Sequence, residues 1–463
     1  MKFNLIRPAR PGLFLFLGLR LAASLCLAAQ EGQTLSLEEA VTLALENNLS
    51  LVRNSLELET LKRTAGTAWN SLLPSLSASL SLGRGTSLTG DLTEARREWG
   101  LDLGFQAGLT LPFSLASAVQ KAGADYRAGL SSYQQARLNL EVLVRKAYYQ
   151  ILLLEANLEL SRQNLASSQA RLEEISARRR LGQASALEEL SARVDLENLR
   201  LSLGQAETRR LNALEDLALT LGFPPGSPLE LEGSLEDRAG EFFNALPEAL
   251  AFRLSNPAPE NPSLPSGEAA FPGLGLQEES WTLQALRESL AALEAERTQR
   301  QLNAYLPSLR LSWSASGAVE SKGWQDNAGR FGLSLSYDLA ALIPGSGVQN
   351  ALSAIDTSLE AARLRLLEEE RLRESRTIRN QRTILESLET IQALNYNAEL
   401  ARQSYQMSEA SYRQGLISLD SLRTAGDNLL QTRNQLLQAD YNFIAAVLDL
   451  EAELNIPFGT LWN

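Results

Sequence analysis

Carboxylates and guanidinium groups are almost all the reactive chemistry this chain carries. Asp and Glu number 55 and Lys and Arg 43, histidine is absent, and the one cysteine is Cys26. Without an imidazole, His-based general-base catalysis and His-ligated metal are excluded, and no cysteine cluster takes their place. The carboxylates are scattered along stretches of helical periodicity, where they read as solvated faces rather than acid–base pairs. No catalytic constellation and no cofactor motif emerges. Two spacings are more specific: Ser36 with Glu39, and Ser185 with Glu188, fit the capping box that opens a helix. The charge balance also argues against nucleic acid. The formal net charge is −12, and affinity for phosphates depends on Lys and Arg.

Residues 1–29 have the form of a secretory leader. Lys2, Arg7 and Arg10 form a basic start, Leu13–Leu19 and Leu21–Ala29 are apolar apart from Arg20 at the break, and Ala28 and Ala29 close the segment. Cys26 lies inside it. A lipoprotein would keep Cys26 as an acylated N-terminus, although Leu25 stands where a small residue is expected. Cleavage near Ala28 or Ala29 instead leaves a chain without cysteine. It also removes Lys2, Arg7, Arg10 and Arg20 and no acid, so the net charge moves from −12 to −16. No apolar stretch of about 18–20 residues follows, so no transmembrane helix is available. The remaining way to span a membrane is a closed β-barrel.

The elements that would position these charges are organised by a repeat. Pro74 and Pro307, Gly182 and Gly415, Leu221 and Leu454, and Pro224 and Pro457 are each 233 positions apart. Two copies of one unit follow. The expected division is a leader at 1–29, repeat one at 30–222, a Pro- and Gly-rich connector at 223–280, repeat two at 281–457, and a tail at 458–463. Each repeat holds a β-hairpin (75–113 and 308–339), a long helix (116–180 and 347–413) and a return helix (185–221 and 418–454).

The hairpins show clean period 2. Trp99, Leu101, Leu103, Phe105, Ala107, Leu109, Leu111 and Phe113 alternate with Gly100, Asp102, Gly104, Gln106, Gly108 and Thr110. Leu309, Leu311, Trp313 and Ala315 alternate with Ser308, Arg310, Ser312 and Ser314, and Phe331, Leu333, Leu335 and Tyr337 with Gly332, Ser334 and Ser336. One face is therefore apolar and the other small and polar. Leu101, Leu103, Phe105, Leu109, Leu311, Trp313, Leu333 and Leu335 are the candidate lipid-facing residues. Trp99, Phe113, Trp313, Trp324 and Phe331 are expected near strand ends, as interfacial aromatics would be. Four strands cannot close a barrel, since such barrels begin at eight, so membrane insertion would demand several copies of the chain.

The long helical runs lack proline, and about 65 residues make a rod of roughly 98 Å. Turns at Gly182 and Gly415 reverse each rod. In the last return helix Leu422, Leu429, Leu436, Phe443 and Leu450 keep a heptad seam; in the first, Leu196, Leu203 and Leu217 keep it with a break at Arg210. The opening stretch Leu35–Leu51 starts a helix expected to run to about Leu73, where Pro74 ends it. Rods alone would also suit a structural or adhesive coiled-coil envelope protein without transport.

LSLEEAVTLALENN at the start, LPSLSASLS and LPSLRLSWS, the turns RRLGQASALEEL and YRQGLISLDSL, and the closing DYNFIAAVLDLEAELNIP resemble the TolC family of outer-membrane efflux proteins. The resemblance covers essentially the whole chain after the leader. It implies a mainly α fold with a transmembrane β portion: a homotrimer whose 12-stranded barrel continues as a 12-helix periplasmic tunnel. Residues 223–280 would form an equatorial belt. It implies a passive export duct in the outer membrane, serving an inner-membrane pump through a periplasmic adaptor, in tripartite efflux or type I secretion. Gly182 and Gly415 would mark the tunnel tip that the adaptor touches. The family's gate tyrosine falls on Tyr412 and its carboxylate partner on Glu188, which implies a Tyr412–Glu188 hydrogen bond. The arginine of the second turn aligns with Ile417, and the two tunnel-mouth aspartates with Ser421 and Thr424, while Asp420 sits one place away. Cargo is not legible.

Overall fold

The computed structural model describes residues 33–84, 99–235, 280–320 and 323–461. The leader and Cys26, the hairpin loop from 85 to 98, and connector residues 236–279 lie outside them. Two compact units emerge among the described residues: 53–135 with 280–372, and 33–52 with 136–235 and 373–461.

The first of these units carries the sheet. Strands β2 (Ser75–Arg84), β3 (Trp99–Leu111), β5 (Ser308–Glu320) and β6 (Gly323–Ser336) lie antiparallel in the order β2-β3-β5-β6. Registers such as Leu80↔Leu103, Leu109↔Leu311 and Leu311↔Leu333 place the apolar alternates of all four strands on one face. On the opposite face Ser79 meets Gly104. A side chain at Gly104 would begin 2.7 Å from the Ser79 hydroxyl, so glycine there is what lets the serine lie flat. The apolar face is uncovered in the single chain: Phe331, Leu333 and Leu335 are 79%, 71% and 67% exposed.

The strands of repeat two are longer than their apolar alternation, at 13 and 14 residues. Trp313 and Phe331, expected near strand ends, therefore pair with each other within the ladder. Backbone pairing continues past the point where the side-chain pattern fades, across an irregularity between Ser314 and Ser316. Below the sheet, α2 (Leu49–Thr67), α5 (Trp281–Tyr305) and the first turns of α3 (Leu115–Arg180) and α6 (Gly347–Arg413) complete the unit.

The second unit holds α1 (Leu37–Asn47), α4 (Ala186–Thr220), α7 (Leu419–Leu454), the greater part of α3 and α6, and a short parallel pair of β1 (Gln33–Leu35) and β4 (Leu229–Leu231). Its core includes Ile151, Ile175, Leu217, Ile384, Ile391, Leu422, Phe443, Ile444, Leu448 and Leu450. Of the heptad residues of α7, Leu422, Phe443 and Leu450 are buried, with Leu437 replacing Leu436 in the core. Arg210, the break in the α4 heptad, reaches Glu155 of α3 at 2.8 Å. Tyr148 ties the β1–β4 pair to α3: its hydroxyl lies 2.9 Å from the Leu35 carbonyl and 2.7 Å from the Glu232 carbonyl, and accepts the Glu232 N–H.

The helix expected from Leu35 to Leu73 is broken twice. The capping box at Ser36 and Glu39 forms, but Asn48 adopts extended backbone and ends α1. Its side-chain oxygen accepts the N–H groups of Ser50 and Leu51, opening α2, while its amide donates to the Thr220 carbonyl. Asparagine competes with helical hydrogen bonding in this way wherever its side chain can reach the next turn's donors. A 3-10 turn at Ala68–Leu72 then ends the segment before Pro74.

Candidate functional site

The candidate site lies where the two long helices turn back. In each copy the last helical residues are followed by a glycine at positive φ, Gly182 and Gly415, both at 74°. Gly182 N–H bonds to the Arg179 carbonyl and Gln183 N–H to Arg178; Gly415 N–H bonds to Tyr412 and Leu416 N–H to Ser411. This is the Schellman arrangement, which requires the left-handed backbone that glycine adopts without strain. Three residues later a serine starts the return helix. Ser185 accepts the Glu188 N–H and Ser418 the Ser421 N–H. Two identical hairpin tips are thus built from the same local rules in both repeats.

The side chains diverge from there. Tyr412, 6% exposed at the end of α6, donates its hydroxyl to the Glu188 carboxylate of α4 at 2.9 Å. The hydrogen bond expected from the family resemblance is therefore present within one chain. The Arg178 guanidinium lies over the Tyr412 ring, 5.4 Å from its centre. Burial first, and then the bond to Glu188, push the Tyr412 hydroxyl up to about 12 against the opposing pull of Arg178. Tyr412 therefore stays a neutral donor across any physiological pH.

Beside this pair, Glu189 is buried and satisfied by Arg179, Ser176 and Arg193. The Arg179 hydrogen bond leads in holding its carboxyl below the usual range. About two turns further, Arg423 of α7 bonds Asp195 of α4 at 2.8 Å. Asp420, Ser421 and Thr424 are exposed and do not join the Tyr412–Glu188 contact. Ser421 stays with its cap, and the Thr424 hydroxyl donates to the Asp420 carbonyl. The slip of Asp420 by one position, about 100° around a helix, turns it away from the face a residue at 421 would use.

Arg178, Arg179, Asp195, Glu189 and Arg423 were not singled out by sequence reasoning. Spacing could have flagged Glu189 with Arg193, and Arg423 with Asp427, as i,i+4 pairs. The cross-helix pairs carry no such signal.

The apolar face of the sheet is the second part of the site. Leu101, Phe105, Leu311, Trp313, Leu333 and Leu335 are all exposed, and Leu103 and Leu109 half-buried, on that one face. Both outer strands, β2 and β6, lack a second neighbour among the described residues.

Comparison with known proteins agrees with this geometry. Residues 40–223 match the family model described as outer membrane efflux protein. No curated protein matches the chain by sequence. Among solved structures, the chain is similar to the CmeC outer-membrane channel of Campylobacter jejuni: 15% identity, 90% of this chain and 85% of that one covered, TM-score 0.69. It is also similar to the outer membrane protein VceC of Vibrio cholerae: 18% identity, 91% and 96% covered, TM-score 0.68. The open state of the MtrE outer-membrane channel of Neisseria gonorrhoeae matches at 17% identity, 91% and 89% covered, TM-score 0.67. Over residues 40–223 the chain is thus similar to the outer membrane efflux protein family, and the described residues as a whole share the fold of these solved outer-membrane channels.

Proposed function

We propose that this chain is a passive export duct of the outer membrane, working as a homotrimer with a periplasmic adaptor and an inner-membrane pump. The observation that carries the reading is the four-stranded sheet: apolar on one face, small and polar on the other, and open at both edges. In hydrocarbon, each unpaired backbone group at β2 and β6 would cost several kcal/mol. Pairing β2 of one chain with β6 of the next removes that cost, and three chains supply twelve strands around a wet lumen. The long helices α3 and α6 and the return helices α4 and α7 would continue the lumen into the periplasm. Energy and cargo selection then belong to the pump.

In this reading the helix tips, with Gly182 and Gly415, face the adaptor, and Tyr412–Glu188 is a shut-state contact of the gate. A charge-assisted hydrogen bond of this kind is worth about 1.5 kcal/mol, which is roughly tenfold in an equilibrium between shut and open. Single-channel recording in planar bilayers tests both levels. The native protein is expected to conduct, with the combined Glu188→Ala and Tyr412→Phe variant, which removes one such bond from each of three chains, open at least about ten times more often. A chain that never conducts would favour the structural coiled-coil reading, and a double variant with native gating would remove this pair from the gate.

A further inference from the structure

Arg423 faces two carboxylates. Its Nη1 lies 2.8 Å from Asp195 Oδ1 on α4, and its Nε lies 3.6 Å from Asp427 Oδ2, one turn along its own helix α7. The first contact joins the two repeats; the second stays within one helix. Asp195 is seven residues beyond Glu188, two turns along the same face of α4. Tyr412–Glu188 and Arg423–Asp195 are therefore stacked links between the same helix of repeat one and the hairpin of repeat two. Asp195 is largely covered, at 20% side-chain exposure, while Arg423 and Asp427 are open to water at 52% and 64%. A small cavity lined by Asn164, Ser168, Arg171, Asp195 and Gly426 adjoins the guanidinium. Arg423 and Asp427 line the same cavity.

We propose that Arg423 is a two-position latch. It holds α7 to α4 through Asp195 when the tip is shut and transfers to Asp427 when α7 moves away. This inference rests on the duct reading above. An ion pair that is simply broken leaves a covered carboxylate and a cation without partners. An arginine with a second carboxylate one turn away keeps a partner throughout, and the freed Asp195 becomes solvated as the helices separate. Asp195 thus favours the shut tip and Asp427 the open one, so the two acids act in opposite directions on the same guanidinium.

That opposition is the test. In single-channel recordings, Asp195→Asn is expected to raise the open probability and Asp427→Asn to lower it. Each change should be about two- to fivefold, the range of a half-exposed pair. Arg423→Gln should remove the effect of both substitutions when combined with either. As a check independent of charge, cysteines placed at 195 and 423 are unique in a chain whose only cysteine lies at 26. Joined by a short, reducible bifunctional thiol reagent, they should hold the channel shut until reductant is added. Shifts of the same sign, or none, in a channel that conducts normally would overturn the latch alone. Full conductance of the cross-linked form would do the same. A native chain without conductance would overturn the duct reading and the latch together.

Discussion

Phe105→Arg is expected to abolish the trimer proposed above, while Gln106→Arg, one residue along the same strand, leaves it intact. Phe105 is the central residue of β3 and pairs with Ala78 on one side and Ala315 on the other, within the apolar carpet. Gln106 pairs with Ser77 and Ser314 on the opposite face. An arginine facing lipid near the bilayer midplane costs about 2–4 kcal/mol per site, against little for one that faces a wet lumen. Three copies multiply that to about 6–12 kcal/mol per trimer, comparable with the whole stability of a domain. Outer membranes extracted in mild detergent and run unheated on a denaturing gel would show the result. Trimer should be absent for Phe105→Arg and at native level for Gln106→Arg. Equal assembly of the two would mean that the apolar face does not meet lipid, and the barrel reading would fall with it.

The contrast works because a strand's period of 2 is visible in sequence and survives along β3, whose register with β2 and β5 is unbroken. Helix ends were equally legible where a residue type leaves no choice. The run expected over 347–413 is α6, Gly347–Arg413, and the run expected over 116–180 is α3, Leu115–Arg180. In each copy a glycine in left-handed backbone and a serine three residues on fix the stop and the restart. What sequence misjudged was the helix from Leu35 to Leu73, whose apolar spacing hides the effect of one of its asparagines, Asn48. Asn48 ends α1 because its side chain reaches the donors of the next turn and the Thr220 carbonyl at once, and the second partner is 172 positions away. The candidate site divides in the same way. Caps at Ser185 and Ser418 are local and readable. Tyr412–Glu188 spans 224 positions and was reachable only through a family resemblance. Asp195–Arg423 has no local signature, since neither residue is out of place on a solvated helix.

Glu451 makes the strongest case for a tertiary effect that composition conceals, and its removal should be felt at the chain's end. It lies in α7 next to the heptad residue Leu450 and is 0% exposed. Its carboxylate accepts the N–H groups of Gly459 at 3.1 Å and Leu461 at 3.0 Å, folding residues 456–461 back onto the helix. Arg145 stacks on Phe458 in the same fold-back, 4.9 Å from the ring centre. Burial pushes the Glu451 carboxyl up to about 7, outweighing those N–H bonds and the attraction of Arg145. An unperturbed carboxyl titrates near 4.5, so between that pH and about 7 the folded chain holds a proton that the unfolded chain has released. The sign follows: the contribution of Glu451 to stability is greatest below this window, declines as pH rises through it, and is lost above about 7, a change of about 3 kcal/mol in all. Glu451→Gln, which cannot ionise, should flatten that decline in thermal midpoints measured between about pH 5 and pH 8. Glu451→Ala should do more harm at every pH, because two buried N–H groups lose their acceptor at about 1–3 kcal/mol each. Its C-terminal residues should then be cut by protease well before the helices are. A native chain whose midpoint does not fall with rising pH, or an alanine variant whose last residues stay protected, would show that the carboxylate neither holds a proton nor anchors the tail.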